Sequence, residues 1–346
     1  MTKGSSIQED QTDAAKRRAS GEFVRGVSQF RHSIGDPDFP PEPNRYHLFV
    51  ALNCPWCHRA TLARAILGLE NIITMDIAFP NRTEESDPVG PNLWQFAPNR
   101  TASLTGEILP ECTLETATGD GLRLVKEIYE REGSDEQSVP VLYDKVTGRI
   151  VNNESAEIIR ILDQHAAALG SALPESARPK LVPHYDRAKE EADVLNERIY
   201  TTINNGAYKA GFSSDQSVYA AAFEAYFETL SMLEDLLSDG RPFLTGDTLT
   251  EVDLRLFPTL YRHDPIYYIR MKLNGAKILD YPNLWRWLCR FYQQEGIADA
   301  GSLLHCRQGY FGRSWNNVVP LGPLKPMPYP AAYLHPELTE MRNAKD

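Results

Sequence analysis

The chain has 346 residues and a formal net charge of -11, long enough for two domains with separate cores and acidic enough to argue against nucleic acid as the main partner. Hydrophobic residues make up 42% and charged residues 24%, the balance of a soluble globular protein, and no apolar run approaches the ~20 residues needed to span a bilayer. Five cysteines are odd in number and too few for a disulfide scaffold, which fits a reducing, cytoplasmic setting.

Met1 to Arg18 mixes acids with bases and has no apolar core, which argues against a secretory signal. Residues 1–45 are polar, turn Pro-rich from Pro37 to Pro43, and read as an extension that wraps the domain or stays mobile. Tyr46 to Asn53 predicts a strand, Pro55 to Leu69 a helix and Ile72 to Ala78 a second strand, together a parallel βαβ unit. Phe79 to Gly121 is long and irregular, and such loops are usually functional or disordered. Leu122 to Glu132 reads as a helix, Val139 to Asp144 as a strand, Arg149 to Asn152 as its returning partner across Thr147-Gly148, and Glu154 to His165 as a helix. The order β-α-β-α-β-β-α over residues 46–168 is that of a thioredoxin-like domain. Residues 169–183 are Pro/Ser-rich and make a linker. Only helical patterns follow within residues 184–310, over 184–204, 215–238, 251–271 and 282–295, the third opened by a near capping box at Thr250-Glu251-Val252-Asp253. Residues 311–346 form a Pro-rich tail, with six prolines between 318 and 336.

Three constellations carry chemistry. Cys54-Pro55-Trp56-Cys57 stands where a strand turns into a helix. A cysteine there faces unpaired N–H groups and the positive end of the helix dipole, which favour thiolate and can lower a cysteine pKa to ~3.5–7.5. Half of a zinc site is the competing reading, but no second cysteine pair stands at suitable spacing, and the histidines form no HExxH or HxxxH pattern, so no metal is expected. Cys112, Cys289 and Cys306 are isolated. Val139-Pro140 precedes the third predicted strand, where a cis bond would expose the Val139 backbone to an extended cysteinyl peptide; an ordinary strand-initiating proline is the alternative. Asn152-Asn153-Glu154-Ser155 ends a strand and begins a helix. The N–H and hydroxyl of Ser155 suit a carboxylate and Glu154 suits an ammonium, a role compatible with simple N-capping.

With these pieces in view, the chain resembles the Xi class of glutathione transferases, the glutathionyl-hydroquinone reductases, from Tyr46 to Pro323. The resemblance rests on Cys54-Pro55-Trp56 with His58-Arg59, Asn92-Leu93-Trp94, Val139-Pro140-Val141-Leu142, and Ile150 to Arg160. In the helical half it rests on Asn204 to Phe212, Leu249 to Leu256, Asp264-Pro265-Ile266-Tyr267, Asp280 to Leu284 and Val319 to Pro323. It implies a glutathione transferase fold, thioredoxin-like then all-α, dimeric through the helical domains, with glutathione as co-substrate. By the same resemblance Cys54 is the nucleophile, Trp94 lies over glutathione, and Val139 with Pro140, Glu154 and Ser155 holds its backbone and γ-glutamyl end. Tyr208 matches a proton donor or acceptor, and Tyr267 and Tyr310 match tyrosines that lower the cysteine pKa and line the acceptor site. A phenol can donate a hydrogen bond to a thiolate, and an aromatic wall suits a flat quinol. Tyr268 and Tyr261 are rival phenols nearby.

Two departures stand out. The family usually has alanine where this chain has Cys57, a candidate resolving thiol one turn from Cys54 or a small buried residue facing the core. The family also commonly places a base three positions before Val139; here the segment is Ser134-Asp135-Glu136-Gln137-Ser138, and Arg123 or Lys126 are candidate substitutes. The stretch from Arg100 to Gly121 reads as added length. A glutaredoxin-like or dehydroascorbate reductase using Cys54 with Cys57 is the alternative function, and a non-catalytic scaffold a third.

Overall fold

The computed structural model describes residues 16–17, 21–24, 26–96, 109, 111–118, 121–183, 186–312 and 320. Two short strands, β1 (Lys16–Arg17) and β2 (Phe23–Val24), pair antiparallel within the N-terminal extension. The first packed layer is a four-stranded sheet in the order β4-β3-β5-β6, built from β3 (Tyr46–Val50), β4 (Thr74–Ile77), β5 (Val141–Asp144) and β6 (Arg149–Asn152). β3 runs parallel to β4 and antiparallel to β5, which returns as β6. Helices α1 (Pro55–Ile66), α2 (Val125–Arg131) and α3 (Ser155–His165) complete the β-α-β-α-β-β-α order expected from the sequence. All five residues of β3 are buried, as a central strand covered on both faces requires. Asp144, at the end of β5, accepts from Nε and Nη2 of Arg45 at 2.9 and 2.7 Å and from Val146 N and Thr147 Oγ1 in the following turn. Burial alone would raise the Asp144 pKa, but these donors hold it below the usual carboxylate value, so a charged, bidentate pair pins β3 to β5.

The second layer is all-helical: α4 (Asp186–Arg198), α5 (Asn205–Phe212), α6 (Gln216–Leu236), α7 (Glu251–Arg262), the single turn α8 (Tyr268–Arg270), α9 (Pro282–Tyr292) and α10 (Leu303–Phe311). The helix read over 184–204 passes through a π-helical stretch, Ile199–Asn204, into α5. The helix read over 251–271 also becomes π-helical, at His263–Tyr267. These stretches, a common mark of functional sites, deliver Tyr208 and Tyr267. The sequence patterns missed α5 and α10 as separate helices, because both are short and glycine-bearing. Gly211 and Gly309 permit close approach: a Cβ on Gly309 would stand 2.2 Å from Asn53 Nδ2. Most of the Pro-rich tail, and much of the stretch from Arg100 to Gly121, lie outside the described residues; Arg307 donates to the Pro320 carbonyl from Nε and Nη2.

Helix α1 is buried on nearly every side, because it lies between the sheet and the helical layer. The helical layer is in turn fixed by Asp253, whose Oδ1 accepts from Leu244 N at 3.0 Å and Trp287 Nε1 at 2.9 Å while Oδ2 accepts from Thr250 N at 3.1 Å. Thr250 and Asp253 form the expected capping box. Asp253→Ala leaves three buried donors without partners, and each costs about 1–3 kcal/mol; urea unfolding should show a stability loss of about 3 kcal/mol or more, and a loss under about 1 kcal/mol would contradict this role.

Candidate active site

Strand β3 ends in a tight turn, with Cys54 N donating to Ala51 O at 3.0 Å, and the His58 N to Cys54 O bond of 3.1 Å opens α1. Cys54 is the N-cap residue and Pro55 occupies the first turn, where its missing N–H costs nothing. Cys54 is 7% exposed, and its Sγ lies 3.8 Å from the carbonyl oxygen of Val139. The Val139-Pro140 bond is cis, as the sequence reading expected. The thiol therefore stands at a helix N-terminus beside an extended backbone edge.

The other thiols differ. Cys57 is wholly buried and its Sγ accepts from Ala51 N at 3.3 Å, which turns it toward the strand. Cys306, read as isolated in the sequence, is buried on α10 with its Sγ 3.8 Å from Leu52 O. Burial raises its pKa.

Glu154 caps α3. Its Oε1 accepts from Ala156 N at 3.2 Å, and Ser155 Oγ lies 3.4 Å from the same oxygen. Arg59, whose guanidinium lies 4.5 Å from the Trp56 ring, reaches Ser155 Oγ at 3.5 Å and also bonds Asn204 Oδ1. Trp94 lies in the long loop, and its carbonyl accepts from Val125 N at 3.1 Å. Its buried indole Nε1 has no hydrogen-bond partner among the described residues. Such a donor suits a ligand carboxylate or carbonyl. Where the sequence resemblance suggested a base, Glu136 instead bonds Asn153 Nδ2 at 2.7 Å and Gln29 N at 3.2 Å. Of the two proposed substitutes, Lys126 pairs with Glu130 at 3.0 Å and Arg123 is exposed. The cation beside Trp94 is Arg82, 4.4 Å from the ring, a residue whose place in an irregular loop gave no sequence signal.

The three candidate tyrosines meet. Tyr310 OH lies 2.7 Å from Tyr208 OH and 3.1 Å from Tyr267 OH. Burial raises the Tyr267 pKa to about 12 and that of Tyr310 well above its ordinary value, so both are proton-bearing at neutral pH. The rival phenols are elsewhere: Tyr261 stacks between Phe257 and Tyr292, and Tyr268 lies near Lys277. The Tyr208 ring is 6.4 Å from Trp56, two residues beyond Cys54, and 5.6 Å from Phe212. An aromatic wall thus runs from the helix that Cys54 caps to the phenol cluster.

Comparison with known proteins places this geometry. The family models "Glutathione S-transferase, N-terminal domain" and "Glutathione S-transferase, C-terminal domain" match residues 53–165 and 216–290. The glutathionyl-hydroquinone reductase PcpF of Sphingobium chlorophenolicum is 38% identical over 320 residues, covering 90% of this chain and 93% of that protein. The Xi glutathione-S-transferase structure from Phanerochaete chrysosporium superposes with a TM-score of 0.76 at 35% identity, covering 93% of this chain and 96% of that one. The glutathione-bound structure of YqjG from Escherichia coli gives 0.73 at 35% identity, covering 86% and 93%. The chain therefore belongs to the glutathione S-transferase family, in its Xi class.

Proposed function

We propose that this enzyme reduces glutathionyl-hydroquinones to hydroquinones at the expense of glutathione. One observation supports the reading: the thiol of Cys54 caps the helix whose Trp56 ring lies 6.4 Å from that of Tyr208, itself one of a hydrogen-bonded trio of phenols with Tyr267 and Tyr310. A thiolate supplies the nucleophile and a phenol the proton for a ring carbon, which is the pair of functions a thioether reduction needs. The reductases PcpF and YqjG support the activity by similarity.

In the first step the Cys54 thiolate attacks the sulfur of the thioether. The S–S bond forms, the sulfur–aryl bond breaks, and its electron pair with a proton passed through Tyr208 makes the new aryl C–H. Free hydroquinone leaves, and Cys54 holds glutathione in a mixed disulfide. In the second step a glutathione thiolate attacks the sulfur of the bound glutathionyl group; glutathione disulfide departs and the Cys54 thiolate returns. Two electrons from two glutathiones thus reach one quinol carbon. Glutathione would lie along Val139 and Pro140 as an added backbone partner, with its γ-glutamyl ammonium on Glu154 and its carboxylate on Ser155. Trp94 Nε1 would meet the glycyl end, with Arg82 as the neighbouring positive charge. No metal takes part in this scheme. The working form is proposed to be a cytoplasmic homodimer joined through the helical layers.

The dithiol alternative needs Cys57 to reach the mixed disulfide, and its complete burial against Ala51 N weighs against it. Steady-state turnover separates the two. Cys54→Ser should lose at least about 1,000-fold in kcat, whereas Cys57→Ser should stay within about twofold of the parent. A dead Cys57→Ser with intact folding would favour the dithiol route. Tyr208→Phe should lower kcat by about 100-fold or more, with Cys54 still taking up glutathione from glutathione disulfide; unaltered turnover would remove Tyr208 from proton transfer.

A further inference from the structure

The N-terminal extension touches both ends of this site. Gly21, with φ +78°, brings its carbonyl to Ser214 N at 3.3 Å, just beyond α5; a side chain there would strike Ser214 Oγ at 2.8 Å. Glu22 pairs with Lys209 of α5 at 3.1 Å. Phe23, 4% exposed, lies with its ring 5.6 Å from that of Tyr208 and 5.9 Å from that of Phe212. A few residues on, the same segment runs along the edge of the sheet. His32 N donates to Val151 O at 3.0 Å, and Asn153 N to Phe30 O at 3.1 Å. Phe30 N donates to Asn153 Oδ1 at 3.2 Å. Ser28 Oγ stands 3.3 Å from Glu154 Oε2 and 3.2 Å from Asn153 O.

We propose that this strap is a working part of the site: Phe23 is a specificity-determining wall of the acceptor pocket, and Ser28 is a positioning residue that aims the Glu154 carboxylate. The proposal rests on the reading above, in which a flat quinol meets Tyr208 and a γ-glutamyl ammonium meets Glu154. Phe23 packs on the Tyr208 phenol ring from an element that carries none of the reacting groups, so its size sets the room beside that ring. The single hydroxyl proton of Ser28 lies between Asn153 O at 3.2 Å and Glu154 Oε2 at 3.3 Å, within donating reach of one carboxylate oxygen while Ala156 N holds the other, an arrangement that restricts the carboxylate's orientation before an ammonium arrives. The substrate class this wall distinguishes is single-ring against fused two-ring glutathionyl-hydroquinones.

The test uses full-length variants and two substrates, a glutathionyl-benzohydroquinone and a glutathionyl-naphthohydroquinone. Phe23→Ala should shift the ratio of their kcat/KM values by about tenfold toward the two-ring substrate, the scale on which apolar pockets discriminate, and Phe23→Trp should shift it the other way. Phe23→Leu gives the same reading if the alanine variant does not fold. A ratio within about twofold of the parent in every folded variant overturns the role of Phe23. Ser28→Ala should raise the KM for glutathione about threefold to tenfold with kcat held, and weaken glutathione binding to Cys54→Ser by the same factor in calorimetry. Unchanged binding, or a fall in kcat alone, overturns the role of Ser28. If Cys54→Ser itself turns over both substrates, the reductase reading has failed, an outcome separate from either strap result.

Discussion

The buried guanidinium of Arg262 ties the helical layer to the turn that carries Cys54. Arg262, at the end of α7, is fully buried, and donates from Nη2 to Leu52 O at 2.9 Å, from Nε to Asn53 O at 3.2 Å and from Nη1 to Pro258 O at 2.9 Å. Its Nη1 also lies 2.9 Å from His58 Nδ1. Burial and the Arg262 charge push the His58 pKa well below the ordinary histidine value, so that ring is neutral and accepts. Taking a guanidinium out of water is costly unless its donors are satisfied, and here they are satisfied by the two carbonyls that immediately precede Cys54. The position of Cys54 is thereby set by the helical layer as much as by its own strand.

The same cation explains the company it keeps. Tyr267, Tyr310 and Cys306 all feel its charge. A buried positive charge near these groups favours any anion that forms among them. Thr61 Oγ1 on Ala300 O and Arg59 on Asn204 add further polar ties between α1 and the helical layer. With α1 held on all sides, the turn at residues 51–54 has little freedom. That rigidity is what the proposed reaction, with a sulfur, a backbone edge and a phenol held in fixed relation, would require.

Much of the candidate site's local setting was legible in the sequence where its grammar is local. Cys54, Val139-Pro140 and Glu154-Ser155 each lie where a strand meets a turn or helix, and Thr250 to Asp253 spells out a cap. The tyrosine trio was legible only through family resemblance. Tyr208, Tyr267 and Tyr310 come from three separate segments, and no periodicity predicts that their hydroxyls meet. Arg82 was missed because a loop arginine has no pattern, and its partner Trp94 lies beyond the next turn. Cys306 looked isolated because its neighbour, Leu52, is a long-range contact. The extension read as either wrapped or mobile; its described part is wrapped, through backbone pairing at Val151 and Asn153 that composition does not announce.

The most direct test is a single turnover. Enzyme in excess is mixed with a glutathionyl-hydroquinone and no free glutathione, then quenched and weighed intact. The account predicts one glutathionyl group bound for each hydroquinone released, located by peptide mapping on Cys54, with no Cys54–Cys57 disulfide. Hydroquinone released without that adduct, or with the glutathionyl group on another residue, would contradict it.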